Sequence, residues 1–254
     1  MDTKLTLPSF RLDGKSALVT GAGTGLGAAI AIGLAQSGAE ITLIGRTQAT
    51  LEETANVIAK QGGRANVVVA DVTDSAMIRE VIAAISKLDA LINNAGTNFP
   101  EPFVDVSDEH LNAMLDLNVR AAFVVAQAAA RKMIALKTDG AIINISSQMG
   151  HVGSANRTVY CMTKHALEGL TKAMAVELAP RIRVNSIGPT FSDTPMVRRI
   201  VDTPEKRDWV MSKIPMGRLV KTEEIAAAAV FLASPAAGMI TGTHLIVDGG
   251  WTAQ

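Results

Sequence analysis

Short β-branched apolar runs alternate along this chain with longer Ala/Leu-rich stretches of helical period. Seven runs predict strands: Ser16–Thr20, Glu40–Ile44, Ala65–Ala70, Ala90–Asn93, Ala141–Ser146, Ile182–Ile187 and His244–Val247. Most are apolar almost throughout, so they must be covered on both faces, as parallel strands between helix layers are. Helical periodicity predicts helices over Leu26–Ser37, Gln48–Gln61, Ser75–Ser86, Asp108–Ala135, Val159–Leu178 and Thr222–Ala233, the fourth broken near Asn118. Several open on Thr, Ser or Asp cap candidates. Strand and helix in alternation predict a doubly wound α/β fold, a seven-stranded parallel sheet with helices on both faces.

No internal repeat, low-complexity tract or long Pro/Gly/Ser linker divides the chain, so a single domain over residues 1–254 is expected. Residues 1–11 read as a loose leader, and residues 190–215, rich in Pro, Asp and Arg, as an irregular excursion of the kind that covers a ligand. At 254 residues and 48% apolar the chain can bury a large core without disulfides or metal. Its 24 basic and 24 acidic residues cancel, which argues against a nucleic-acid partner. Cys161 is the single cysteine, which excludes an internal disulfide and suits a reducing, cytoplasmic setting. Met1–Lys15 lacks a signal-like apolar segment, and the longest apolar run, Ala226–Ala233, is too short to span a bilayer. A soluble protein without a membrane partner is expected.

The first predicted strand runs into Thr20-Gly21-Ala22-Gly23-Thr24-Gly25-Leu26-Gly27 and then into helical sequence. Glycines there let the backbone approach a pyrophosphate, and the amides and dipole of a helix N-terminus favour its charge. A merely tight βα loop is the plain alternative; the position after the first strand of an α/β chain favours a nucleotide site. Farther on, Tyr160 and Lys164 stand four apart on a predicted helix and so share a face, where an ammonium would lower the phenol's pKa toward acid–base use. Tyr160 could then exchange a proton with a carbonyl or alcohol oxygen that Ser147 holds by a hydrogen bond.

These strings, with Asn93-Asn94-Ala95-Gly96 closing the fourth strand and Val247-Asp248-Gly249-Gly250 near the end, resemble the short-chain dehydrogenase/reductase family from about Gly14 to Trp251. The resemblance implies a Rossmann fold and a nicotinamide-dependent oxidoreductase interconverting a secondary alcohol and a carbonyl. It assigns Ser147, Tyr160, Lys164 and Asn118 to catalysis, the lysine also binding the nicotinamide ribose and the asparagine supporting a water-linked proton relay. An asparagine inside a helix can also simply mark a break. Cofactor positions implied in the same way are Gly21, Thr24, Gly25, Leu26 and Gly27, then Asp71 and Val72, then Asn94, Ala95 and Gly96, and finally Tyr160, Lys164, Pro189, Thr190 and Thr194. A homotetramer is implied too, with the last helix and Val247–Trp251 at an interface. Pro189-Thr190 stands where many members have Pro-Gly, which predicts a different backbone path there.

Gly45-Arg46 ends the second strand where an acidic residue would accept hydrogen bonds from the adenosine ribose. Arginine pairs with a 2′-phosphate instead, so NADP is preferred over NAD, unless Arg46 is only a solvated surface residue. The substrate pocket should draw on Ser147, Gln148, His151, Asn156 and Arg157, and on Asn98 after Gly96. Those positions are polar, and aromatics make up only 4% of the chain, so a small hydroxylated substrate such as a sugar or sugar acid is favoured. Arg157 is placed to meet an anionic group, or else to pack outward in a surface or subunit salt bridge. The alternatives are a 3-oxoacyl thioester reductase and a nucleotide-binding sensor without catalysis. Cys161 reads as a small buried hydrophobe. His110, His151, His165 and His244 are scattered without metal-ligand spacing, so no metal is expected.

Overall fold

A computed structural model describes residues 6–254; residues 1–5 of the expected leader lie outside the described residues. The strands are β1 (Ser16–Thr20), β2 (Glu40–Gly45), β3 (Arg64–Val69), β4 (Ala90–Asn93), β5 (Gly140–Ile145), β6 (Ile182–Pro189) and β7 (His244–Val247). They form one sheet in the order β3-β2-β1-β4-β5-β6-β7, with every neighbouring pair parallel. Chain order reverses between β1 and β4, which opens a crevice beyond their carboxyl ends. Val19 of β1 lies level with Leu43 of β2 and Ile92 of β4, so the residues that follow these strands enter that crevice together.

Helices α1 (Gly25–Gln36), α2 (Gln48–Lys60) and α9 (Thr222–Ala233) cover one face, burying Ile30, Leu34, Leu51, Ile225 and Leu232. Helices α3 (Ser75–Ala84), α5 (Ala122–Ala135) and α6 (Thr158–Leu178) cover the other, with Ile78, Ile82, Val125, Met133 and Ala175 inside. Strands β1, β4 and β5 are buried end to end, as their apolar runs require. Strand β3 is the sheet edge, and all its positions are exposed or half-buried.

The predicted helix 108–135 is α4 (Asp108–Leu115), a π-helical turn over Asp116–Ala121, and α5, so the break at Asn118 is one wide turn within a continuous helical stretch. This stretch, rather than Ala226–Ala233, is the longest apolar one, and it is long and apolar enough to cross a membrane. Over half of its apolar window, 56%, is buried, and it packs on α3 and β4 as a core helix does. The 190–215 segment is less irregular than expected, for it folds into α7 (Pro195–Ile200) and α8 (Pro204–Ser212). Each opens on a Thr-Pro pair: the Thr194 and Thr203 hydroxyls accept hydrogen bonds at 3.3 Å from the amides of Val197 and Lys206. The described end of the leader is seated, with Ser9 O accepting from Ala236 N at 3.1 Å and Phe10 stacking 6.0 Å from Phe231.

Candidate active site

The turn between β1 and α1 closes tightly because Gly27 lacks a side chain: a Cβ there would collide with the carbonyl oxygen of Gly21. Asn94, just past β4, ties the turn in place by donating from Nδ2 to Thr20 O (2.9 Å) and Gly21 O (3.3 Å). Thr20 Oγ1 returns the link, accepting from Asn94 N at 3.0 Å and Ala95 N at 3.1 Å. Helix α1 begins with no side-chain cap from Thr24 and no acidic residue in its first turn. Its first amides are therefore left for a ligand, and such a donor set, on a glycine-lined surface, fits the pyrophosphate of a dinucleotide.

A cleft of about 640 Å³ extends from this turn. Gly21, Thr24, Gly25, Leu26 and Gly27 line it from one strand end, and Asn94, Ala95 and Gly96 from the next. Thr194 overlies Gly25, so the segment leading into α7 forms part of the roof. Arg46, Asp71 and Val72 also line the cleft. Arg46 Nη1 lies 4.0 Å from Asp71 Oδ2, and the arginine side chain is 76% exposed, which leaves most of its donors free. Burial pushes the Asp71 carboxyl up, but hydrogen bonds from the Thr73 amide (2.9 Å) and hydroxyl (2.8 Å), together with Arg46, outweigh it and hold the group below the usual range.

Ile145, Ser146, Tyr160 and Lys164 line the cleft near the end of β5. Lys164 is buried, donates from Nζ to Ile145 O at 2.9 Å, and lies 5.5 Å from the centre of the Tyr160 ring. Burial pushes its ammonium down to about 8, against the opposing pull of Glu168. The Tyr160 phenol is pushed up to about 12 by burial, opposed by a hydrogen bond with Ser147 and the charge of Arg157. Lys164 shares the face of Tyr160, as the four-residue spacing requires, and its ammonium also engages β5 through Ile145 O.

Ser147, Gln148, Pro189 and Thr190 are buried just behind the cleft's lining, Pro189 as the closing residue of β6. Ser147 Oγ accepts from Met149 N at 3.1 Å and donates to Gln148 Oε1 at 3.2 Å. Despite the departure from Pro-Gly, the backbone stays with the sheet, since Thr190 N donates to Val247 O at 3.3 Å; the Thr190 hydroxyl is buried without a partner. Asn118 also lies behind the lining. Its Oδ1 accepts from Thr97 N (2.8 Å) while Nδ2 donates to Thr97 O (2.9 Å) and Thr163 Oγ1 (3.2 Å), so the π-helical turn holds the loop that follows Gly96.

Of the remaining expected substrate residues, Asn98 has a buried Oδ1 with no partner. Arg157 is half-buried and donates to Asn156 O at 3.0 Å, and no carboxylate pairs with it among the described residues of this chain. His151 turns away from the cleft, its ring 3.8 Å from that of His244 and its Nε2 3.8 Å from Glu168 Oε2. The histidines are thus not all scattered: two of the four meet around one buried carboxylate. Phe99, Ala113, Leu117 and Met196 complete the cleft with an apolar wall that the sequence did not single out. Phe99 beside Asn98 was the one available hint, because the approach of α4 and the π-helical turn is a tertiary effect.

The chain matches the Enoyl-(Acyl carrier protein) reductase family profile over residues 21–252. It is 38% identical to L-xylulose reductase from Bos taurus over 96% of this chain and 99% of that protein. It is also 38% identical to gluconate 5-dehydrogenase from Gluconobacter oxydans over 96% of both. Among solved structures, gluconate 5-dehydrogenase from Burkholderia cenocepacia in complex with NADP and tartrate superimposes with a TM-score of 0.91 at 37% identity, over 96% of this chain and 98% of that one. Likeness along nearly the whole length, joined to the glycine turn and to a tyrosine and lysine at one strand end, means that the chain belongs to the short-chain dehydrogenase/reductase family of nicotinamide-dependent oxidoreductases.

Proposed function

We propose that the protein interconverts a ketone and a secondary alcohol on a small hydroxylated substrate, a sugar or sugar acid, with NADP preferred over NAD. The single observation that carries this reading is the convergence of Ser147, Tyr160 and Lys164 at the end of β5, beside a cleft that begins at a glycine turn. A nicotinamide held in this cleft would supply or accept the hydride. Tyr160 gives the carbonyl oxygen its proton, or takes one from the alcohol, and Ser147 holds that oxygen through Oγ. Lys164 orients the cofactor ribose and keeps a positive charge below the phenol ring. Asn118 positions the loop after Gly96.

The exposed guanidinium of Arg46 supports NADP, as it has donors to spare for a 2′-phosphate. Polar substrates are supported by Arg157 and Asn98, one half-buried without a carboxylate and the other with a buried free oxygen, and by the substrates in the names of the relatives. The apolar wall of Phe99, Leu117 and Met196 favours a second reading, a 3-oxoacyl thioester as substrate. The whole chain is read as one domain with residues 190–215 covering substrate, working in the cytoplasm as a homotetramer. Met239, 97% exposed, and Ile246 of β7 supply apolar surface for an interface at that edge. A panel of ketoses, keto-acids and 3-oxoacyl thioesters, assayed in both directions with NADP and NAD, tests the assignment. Turnover should be highest for a hydroxylated ketone with NADP; a thioester that outpaces every sugar, or cofactor binding without any turnover, would overturn it.

A further inference from the structure

Behind the turn that carries Ser147, on the side away from the cleft, three side chains from separate elements converge. His151 follows the short 3-10 turn Gln148–Gly150, Glu168 stands one helical turn beyond Lys164 on α6, and His244 opens β7. Glu168 Oε1 lies 3.0 Å from His244 Nδ1, and Glu168 Oε2 lies 3.8 Å from His151 Nε2. The Ser186 hydroxyl joins them, donating to Glu168 Oε2 at 2.7 Å and standing 2.9 Å from His244 Nδ1.

Four-coordinate zinc with bonds of 2.0–2.1 Å requires donors about 3.4 Å apart. The contacts here, from 2.7 to 3.8 Å, bracket that separation, and candidate ligand atoms of the two histidines and the glutamate all lie within 4.8 Å of one another. The side chains of Glu168 and His244 are only 6% and 8% exposed, while that of His151 is 33% exposed and leaves an access route from solvent. His244 Nε2 is buried with no hydrogen-bond partner. Its ring occupies the space over Gly188, where a Cβ would come within 2.5 Å of Cε1 and Nε2, so the glycine is what admits this imidazole. Among the described residues no lysine or arginine forms an ion pair with Glu168, whose partners are the two imidazoles and the Ser186 hydroxyl.

We propose that His151, Glu168 and His244 form a divalent transition-metal site, with zinc as the best-fitting ion and Ser186 or water completing the coordination. Two imidazoles and one carboxylate suit zinc, cobalt or nickel, whereas magnesium and calcium favour oxygen ligands. A bound ion would fix His151 and therefore the turn 148–150, which places the site where it can influence the reactive end without touching substrate.

Zinc binding to the full-length protein should be measured by competition with a chromophoric chelator, alongside the visible spectrum of the cobalt-loaded protein. The parent should bind one ion per chain and give the intense absorption of four-coordinate cobalt. His151→Ala and Glu168→Gln should each weaken zinc binding by at least ~100-fold, the upper range for loss of even an outer partner of a metal ligand. His151 lies at the rim, so its variant tests the site without emptying the core, and zinc should raise the melting temperature of the parent but not of this variant. His110→Ala, which disrupts the separate His110–Glu101 pair, should leave binding unchanged. Absence of stoichiometric binding by the parent, parent-like affinity in His151→Ala, or loss of the ion in His110→Ala would overturn the proposal.

Discussion

Replacing Asn118 with alanine tests whether the loop after β4 is held from behind, as its hydrogen bonds indicate. The side chain is 1% exposed and makes three hydrogen bonds, two of them to the backbone of Thr97. Truncation leaves the Thr97 amide and carbonyl without partners; Thr163 loses less, because its hydroxyl still donates to Tyr160 O at 2.8 Å. A buried polar group left unsatisfied costs about 1–3 kcal/mol. Thr97 is half-buried, so water can satisfy part of what is lost, and the two groups together should cost roughly 2–4 kcal/mol. For a chain of this size each kcal/mol lowers the melting temperature by about 2–4 °C, which gives a fall of roughly 4–16 °C.

The same loop lines the cleft, and Asn118 Oδ1 would lie 3.2 Å from a Cβ on Gly96, so the variant should also bind cofactor more weakly. Thermal melts with and without NADP, combined with steady-state kinetics, separate the two effects. Asn118→Asp sharpens the test, since it keeps an acceptor for the Thr97 amide but sets a carboxylate against the Thr97 carbonyl; it should melt between the alanine variant and the parent. An alanine variant that melts like the parent, with turnover lost and cofactor binding intact, would refute the structural argument and leave a purely chemical role.

Tyr160→Phe should lose at least ~100-fold in kcat, the lower end of what general acid–base catalysis contributes, while NADPH fluorescence titration still reports binding. Arg46→Asp should lower the NADP-to-NAD preference by about 10–150-fold, equivalent to the roughly 1.5–3 kcal/mol of a charge-assisted hydrogen bond; an unchanged ratio of kcat/KM values would make Arg46 a bystander. Burial holds Lys164 at about 8 against an ordinary 10.5, so between these pH values the unfolded chain keeps a proton that the folded chain has released. Stability contributed by this group therefore rises with pH across that window. Lys164→Met should remove that component from urea midpoints measured along the pH range.

The buried strands were legible because parallel strands covered on both faces must be apolar along their whole length, and β1, β4 and β7 have the expected bounds. Strand β2 ends one residue later than expected and β6 two, while β3 and β5 are each shifted one residue toward the N-terminus, since ladder pairing rather than hydrophobicity sets their limits. Helices α7 and α8 were missed although their Thr-Pro openings carry a cap and a first-turn proline; they are short and polar, with only Val210 buried between them, so no apolar stripe announces them. The glycine turn and the Tyr160–Lys164 pair are local patterns. The apolar wall of the cleft and the meeting of His151, Glu168 and His244 arise from packing between elements far apart in the chain, which no spacing rule encodes.

The reactive end shows where a correct local rule stops. Four-residue spacing on α6 does place Tyr160 and Lys164 on one face. It does not choose the acceptor each side chain finds. Lys164 Nζ donates to Ile145 O of β5 at 2.9 Å, while the centre of the phenol ring is 5.5 Å away, as expected of a buried ammonium with one carbonyl in reach. The phenol is left to Ser147, which follows the same strand, and to the field of Arg157 at the opening of α6. Acidity at Tyr160 therefore depends on where β5 ends relative to the start of α6, a property of the assembled sheet and helix that neither segment contains alone. An anionic group bound by Arg157 would screen the charge that the phenol feels and keep its proton in place, so the residue that selects an acid would also help retain the proton that carbonyl reduction consumes.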